Sequence, residues 1–131
     1  MPLSVEIVSP ERTLFSGEAS MVRARTVGGG DVAFLTGHAP FIAALETWTL
    51  EVVLTDGSRE LAAVHGGFIE VSHDHVKILS DLAEMAGDID ADRARRAQEE
   101  AEAAIARGED VEAEAGLRRA HARLVATGQT V

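Results

Sequence analysis

Five histidines are the side chains best suited to binding a metal or moving a proton here: His38, His65, His73, His75 and His121. Their spacing argues against both. His73 and His75 flank Asp74 in a tight turn, where neighbouring side chains diverge. No two histidines stand four apart on a helix, the spacing that sets two imidazoles on one face. The pair at 73 and 75 reads as solvated turn residues. His65, beside Gly66-Gly67 near a strand end, is expected to be a satisfied interior or edge histidine. His121 lies in a helical stretch with no histidine three or four residues away. No metal site is predicted. Nucleophilic chemistry needs a positioned base, and Ser16, Ser20, Ser58, Ser72 and Ser80 lie in turns or strands without a Gly-x-Ser-x-Gly elbow. Gly28-Gly29-Gly30 is followed by no Lys-Ser/Thr and opens no helix, so it is not a phosphate loop. No catalytic residue is predicted.

The arginines near the C-terminus carry more information. Asp92 with Arg96, and Glu114 with Arg118, are acid-first pairs four residues apart, the favourable order on a helix. Arg119 and Arg123 are also four apart, yet neither has an acid three or four residues away. Two like charges stacked on one face repel by a few tenths of a kcal/mol. An anion would relieve them. Glu99, Glu100 or Glu102 of a preceding helix, a partner's acidic surface, or a phosphate are the candidates.

The elements that position these side chains change character at about residue 88. Up to Gly87 the chain consists of short apolar runs cut by Gly, Pro and Asp-Gly turns. Strands are expected at 4–9, 18–25, 32–35, 41–45, 48–54, 59–65, 68–71 and 75–79. Asp56-Gly57 is a strong two-residue hairpin signal, and Gly66-Gly67 marks a bend or a close backbone approach. Short strands without helices between them predict an antiparallel sandwich or barrel. From Asp88 onward Ala, Glu and Arg dominate at helical spacing. Asp88 or Asp90 can cap a first helix, with Ala94, Ala97, Ala101, Ala104 and Ile105 on its stripe. Gly108-Glu109-Asp110 is a stop and restart. A second helix sets Ala113, Leu117, Ala120 and Leu124 on its stripe, with Gly116 costing it ~1 kcal/mol relative to Ala. The expected unit is a helical hairpin with few bulky side chains, docked weakly on the sandwich. The domains are therefore 1–87, a β-sandwich, and 88–131, a two-helix hairpin.

Bulk properties narrow the partners. The 131 residues carry a net charge of −10. Residues 1–87 hold 12 acidic and 5 basic side chains, and the tail holds 10 acidic and 7 basic. Both parts are negative, which argues against nucleic acid and against anionic lipid surfaces. There is no cysteine, hence no disulfide or thiolate metal site. The N-terminal residues lack the pattern of a signal peptide. No apolar run approaches the ~20 residues needed to span a bilayer, so any membrane association is expected to run through a protein partner.

Several motifs in order resemble the epsilon subunit of the bacterial F-type rotary ATP synthase, the delta subunit in mitochondrial naming. They are Ile7-Val8-Ser9-Pro10-Glu11 with Phe15-Ser16-Gly17, Gly37-His38-Ala39-Pro40, Gly66-Gly67-Phe68-Ile69-Glu70-Val71, Val76-Lys77-Ile78-Leu79-Ser80-Asp81, and Ile89-Asp90-Ala91-Asp92-Arg93-Ala94. The resemblance covers nearly the whole chain. It implies a sandwich of about ten antiparallel strands followed by an α-helical hairpin. It further implies a non-catalytic rotor subunit on the cytoplasmic face of the bacterial membrane, bound to the gamma subunit and the c-ring. By resemblance, Asp31 and His38 lie near the c-ring end, and Phe41, Ile42 and Leu45 are candidates for contact with gamma. The helical tail would regulate ATP hydrolysis, with Arg118, Arg119 and Arg123 meeting acidic surfaces of the catalytic alpha/beta head. Some relatives bind ATP as a regulatory ligand in the folded hairpin. By position that site would be Glu84, Ile89, Asp90, Arg93, Ala94, Arg119 and Arg123. The alternative to a rotor subunit is thus an ATP-sensing binding module. This chain has Glu100 where such relatives carry a basic residue, and Thr36 where the family often has Pro. Its second helix also ends early, at Gly128.

Overall fold

The computed structural model describes residues 2–108 and 111–129. Nine strands and two helices follow one another: β1 (Leu3–Val8), β2 (Thr13–Thr26), β3 (Gly30–Leu35), β4 (Phe41–Ala44), β5 (Thr47–Leu54), β6 (Arg59–His65), β7 (Phe68–Ser72), β8 (His75–Leu79), β9 (Ala83–Met85), α1 (Ala91–Ala106) and α2 (Val111–Ala126). A short 3-10 turn, Ala86–Asp88, joins β9 to the helices.

Turn chemistry fixes the strand ends. Gly57 takes φ 88 at the Asp56-Gly57 turn, and Asp56 Oδ1 accepts from the Ser58 amide at 2.9 Å. Between β7 and β8, His73 and Asp74 both enter the left-handed region, at φ 51 and 60, as a two-residue hairpin turn requires. At Gly67, φ is 107 and a Cβ would lie 2.1 Å from the Leu79 carbonyl oxygen, so this backbone approach admits only glycine.

The strand order is β4-β7-β8-β1-β2-β5-β6-β9, with β3 paired to β2. The first half of β2 pairs with β1 and its second half with β3 and β5, so this long strand belongs to both layers. A bridge from Thr26 to Leu45 draws the end of β2 to the end of β4. One core results, with Leu3, Val5 and Ile7 of β1 packed with Phe34, Leu50, Val52, Ile69 and Ile78. Alternation explains it, since every second residue of β1, β7 and β8 turns inward.

Two expectations are corrected. The nine strands among the described residues agree with the sandwich of about ten that was expected, and the corrections concern pairing and bounds. The strands are not all antiparallel, because β1 and β8 run parallel. The second strand begins at Thr13, not residue 18, since its early half pairs with β1 from Leu3↔Ala19 to Ile7↔Phe15.

In the hairpin, α1 is capped by Asp90, whose side chain accepts from the Arg93 amide at 3.1 Å. Gly108, at φ 85, follows its end. Of the expected restart, Glu109 and Asp110 lie outside the described residues. Helix α2 packs on α1 and on β5 and β6, so it lies between α1 and the sheet. Its sheet-facing stripe is Ala122 and Ala126 against Ala63, with Leu61 and Ile89 at the margin.

Candidate functional site

Charged side chains converge where β9, the 3-10 turn and both helices meet. Glu84 sits on β9, opposite Ala63 of β6. His65, at the end of β6, has its side chain only 3% exposed and places Nε2 2.9 Å from Glu84 Oε1. Arg123 of α2 donates to the same oxygen from Nε at 2.6 Å. The His65 hydrogen bond is the chief reason the Glu84 carboxyl falls from 4.5 to about 2. Burial opposes the shift, and Arg123 reinforces it through its own hydrogen bond and charge.

A cleft of about 300 Å³ opens beside this carboxylate, walled by Glu84, Asp88, Ile89, Asp90, Arg93, Ala94, Ala97 and Arg123. A wider groove of about 600 Å³ between the helices shares Ala97 and Arg123 with it. Arg119, Glu100 and Glu112 line that groove. Of the seven residues expected to form a nucleotide site, Glu84, Ile89, Asp90, Arg93, Ala94 and Arg123 meet in the cleft. Arg119 stands in the neighbouring groove, with Nη2 2.9 Å from Glu112 Oε1. The electrostatics are mixed. Arg93, Arg119 and Arg123 face Glu84, Asp88, Asp90, Glu100 and Glu112 across the two spaces. Arg123 engages Glu84 through Nε and Arg119 engages Glu112 through Nη2, whereas Arg93 forms no ion pair among the described residues.

Of the three anions expected to relieve the stacked Arg119 and Arg123, the first-helix glutamates are corrected here. Neither pairs with Glu99, Glu100 or Glu102. Arg119 reaches two turns back along its own helix to Glu112, and Arg123 leaves the hairpin for β9. Arg118 is exposed.

The second set of expected residues lies on the sandwich. Asp31 is the second residue of β3 and pairs with Arg25 at 2.9 Å; that hydrogen bond holds its carboxyl below the ordinary range. The Arg25 guanidinium also lies 4.0 Å from the centre of the Trp48 ring. His38 stands edge-on to Phe34 and Phe41, with centroids 4.9 and 5.8 Å away. Gly37 of the same turn donates its amide to Asp74 Oδ1 at 2.7 Å. Phe41 is half-buried against the core. Ile42 is 66% exposed. Leu45 is 5% exposed and belongs to the core. Little of its side chain therefore faces outward in the free chain.

Sequence reasoning missed three features. Phe68 is exposed on β7 opposite Ala44 and joins Ile42 in an apolar patch. Gln98 is buried between the helices, accepting from Arg95 at 2.7 Å and meeting His121 Nε2 at 3.3 Å. Its place on the stripe of Ala94 and Ala101 was the available signal. Glu51, nearly buried on β5, pairs with Arg23 and Arg59. No cluster of three metal-ligating side chains occurs among the described residues.

The architecture is thus a two-layer sheet carrying a helical hairpin, with charged residues at the joint. The family model for the ATP synthase delta/epsilon chain β-sandwich domain matches residues 2–86. The chain is 46% identical over 127 residues to the ATP synthase epsilon chain of Thermobifida fusca, covering 93% of this chain and 89% of that one. It is 42% identical over 113 residues to the ATP synthase epsilon chain of Streptomyces griseus, covering 83% and 90%. The fold matches a chain in the cryo-EM structure of the Euglena gracilis mitochondrial ATP synthase, OSCP/F1/c-ring, with a TM-score of 0.78. That match has 23% identity and covers 89% of this chain and 76% of the other. The chain belongs to the delta/epsilon family of non-catalytic ATP synthase subunits.

Proposed function

We propose that this chain is the central-stalk subunit that couples rotation of a c-ring to the catalytic head and restrains ATP hydrolysis with its hairpin. In this reading the sandwich grips the gamma subunit through the patch of Ile42 and Phe68, and meets the c-ring near Asp31 and His38. The whole sits peripherally on the cytoplasmic face of a bacterial membrane. Among the described residues no helix is long and apolar enough to cross one.

The observation that carries the regulatory part is the joint between the two units. The hairpin rests on the sheet through alanines and is tied by Arg123 to Glu84. A joint of small apolar contacts, the Thr49 to Ala122 hydrogen bond and the Arg123–Glu84 ion pair is open to release by a change of a few kcal/mol. Once freed, Arg118, Arg119 and Arg123 would be available to acidic surfaces of the catalytic alpha/beta head. The test compares the ATPase rate of the assembled complex with and without residues 88–131. A faster rate without the tail supports inhibition; an equal rate removes it.

A second reading, ATP as a regulatory ligand of the folded hairpin, is favoured by the convergence of six expected residues in one cleft. Calorimetry on the isolated chain decides it. Saturable heat with ATP that Arg123→Ala abolishes supports it, and no heat at millimolar ATP ends it.

A further inference from the structure

Helix α1 buries three residues: Ala94, Gln98 and Ala101. Two of them offer only a methyl group to the seam. Gln98, 6% exposed, is therefore the one buried side chain of α1 that needs partners in set directions.

The same helix carries a second seam. Ala97, Ala101 and Ala104 stand three residues beyond Ala94, Gln98 and Ala101. If α1 slid by three residues, about 4.5 Å, and turned by about 60°, alanine would occupy all three buried places. Methyl burial separates these two settings weakly, because Ala94 and Ala101 are exchanged for Ala97 and Ala104, alike in size and chemistry. Gln98 separates them. Its Oε1 accepts from Arg95 Nη1 at 2.7 Å, and its Nε2 meets His121 Nε2 of α2 at 3.3 Å. Arginine can only donate, so the amide oxygen faces Arg95 and the amide nitrogen faces α2. After the slide Gln98 would stand three residues away from its place opposite His121, and His121 would meet a methyl. One polar residue in an otherwise apolar helix seam fixes register in this way, at a cost in stability.

We propose that Gln98, paired with His121, is the positioning residue that selects one of two alanine registers of the hairpin. The register it selects brings Arg93, Ala94 and Ala97 of α1 into one cleft with Glu84 and Arg123. This setting belongs to the free chain and holds whether or not the cleft takes a ligand.

The test is a distance measurement by double electron–electron resonance on the full chain. The chain has no cysteine, so cysteines introduced at the exposed positions Asp92 and Glu114 carry the only spin labels. Arg93 shares its cleft with Arg123, and Ala104 shares its groove with Ala113. The helices are therefore antiparallel, and the labels lie near opposite ends of the hairpin. The slide lengthens their separation by about 4.5 Å. With Gln98 in place, one narrow distance is expected. Gln98→Ala makes the two seams alike while keeping a strong helix former, and a second, longer population of comparable size should appear. His121→Leu leaves the Gln98 amide nitrogen without its partner across the seam and should produce the same second population, which a merely space-filling role of Gln98 would not. A single unshifted distance in either variant overturns the proposal. Loss of α1 helicity in both variants also overturns it, since Gln98 would then hold the helix together and not choose its setting. If one variant alone loses the helix, the other decides.

Discussion

The interior of the sandwich and the seam beneath the hairpin are built from different residues. The sandwich core joins sixteen buried side chains, among them Phe34, Leu50, Ile7 and Ile78. The seam has three, all alanine: Ala63, Ala122 and Ala126. A fully buried Leu, Ile or Phe contributes about 1.5–3 kcal/mol, a single methyl about 0.8. The sandwich is therefore held by apolar burial spread over many strands. In the seam, polar contacts weigh comparatively more: Thr49 Oγ1 donates to the Ala122 carbonyl at 2.8 Å, and Arg123 holds Glu84. Two such units are expected to open at different free energies, the hairpin first.

The sharpest test pairs one substitution from each unit. Phe34 in β3 and Leu124 in α2 are both fully buried. Phe34→Ala is expected to cost about 3–5 kcal/mol, read as a fall in the urea midpoint of the whole chain. Leu124→Ala should cost about 2–5 kcal/mol, but as faster amide exchange confined to α1 and α2. The comparison breaks if exchange in β1 and β8 rises with it.

How much of this contrast was legible beforehand depends on the range of the interaction. The eight predicted strands rest on local signals, Asp56-Gly57 and alternation in β1 and β7 being the clearest. Ala83–Met85 was unreadable as a strand because three residues with no β-branched member carry no period; its pairing with β6 makes it one. The parallel pairing of β1 with β8 joins residues some seventy apart, and nothing local announces it. The alanine stripe toward α1 was visible, but the second stripe toward the sheet was not, since alanine suits both a buried and an exposed face. The burial of Leu45 was equally hidden: it continues the apolar run of β4, and the bridge that links it to Thr26 is non-local. In the candidate cleft, the resemblance supplied the residues. Position along the chain could not show that Glu84 would already hold Arg123, thirty-nine residues away.

The contacts of Glu84, first with His65 and then with Arg123, give a test of intermediate size. Glu84 is lowered from 4.5 to about 2 in the folded chain. A depressed carboxyl contributes stability that is fully present above the unfolded value and lost as pH falls through the folded one. The window therefore runs from about pH 4.5 down to about pH 2. With the Glu84 side chain 34% exposed, solvent screening reduces the effect to roughly 1–2 kcal/mol. Exchange of α2 amides should accelerate across that window, and Glu84→Gln should remove that part of the pH dependence. If α2 and β8 respond in parallel, the seam has no separate latch.

The smallest effect comes from glycine and has opposite signs in the two units. At Gly67 a side chain meets the Leu79 carbonyl and a left-handed backbone, so the sandwich cannot accept one. At Gly116, inside α2, a Cβ meets only Arg119 Nη2 at an ordinary 3.7 Å. Gly116→Ala should stabilise α2 by about 0.5–1 kcal/mol, because alanine loses less backbone freedom on entering a helix. Slower exchange along α2, with β1 and β8 unchanged, is the expected readout. The added methyl also projects toward the interhelical groove beside Arg119. If the hairpin must open in order to regulate, the same substitution should weaken inhibition of hydrolysis in the assembled complex by up to about fivefold, the population shift that 1 kcal/mol produces. A stiffer hairpin that inhibits as well as the parent chain would mean that the seam, and not the cohesion of α2, sets the switching equilibrium.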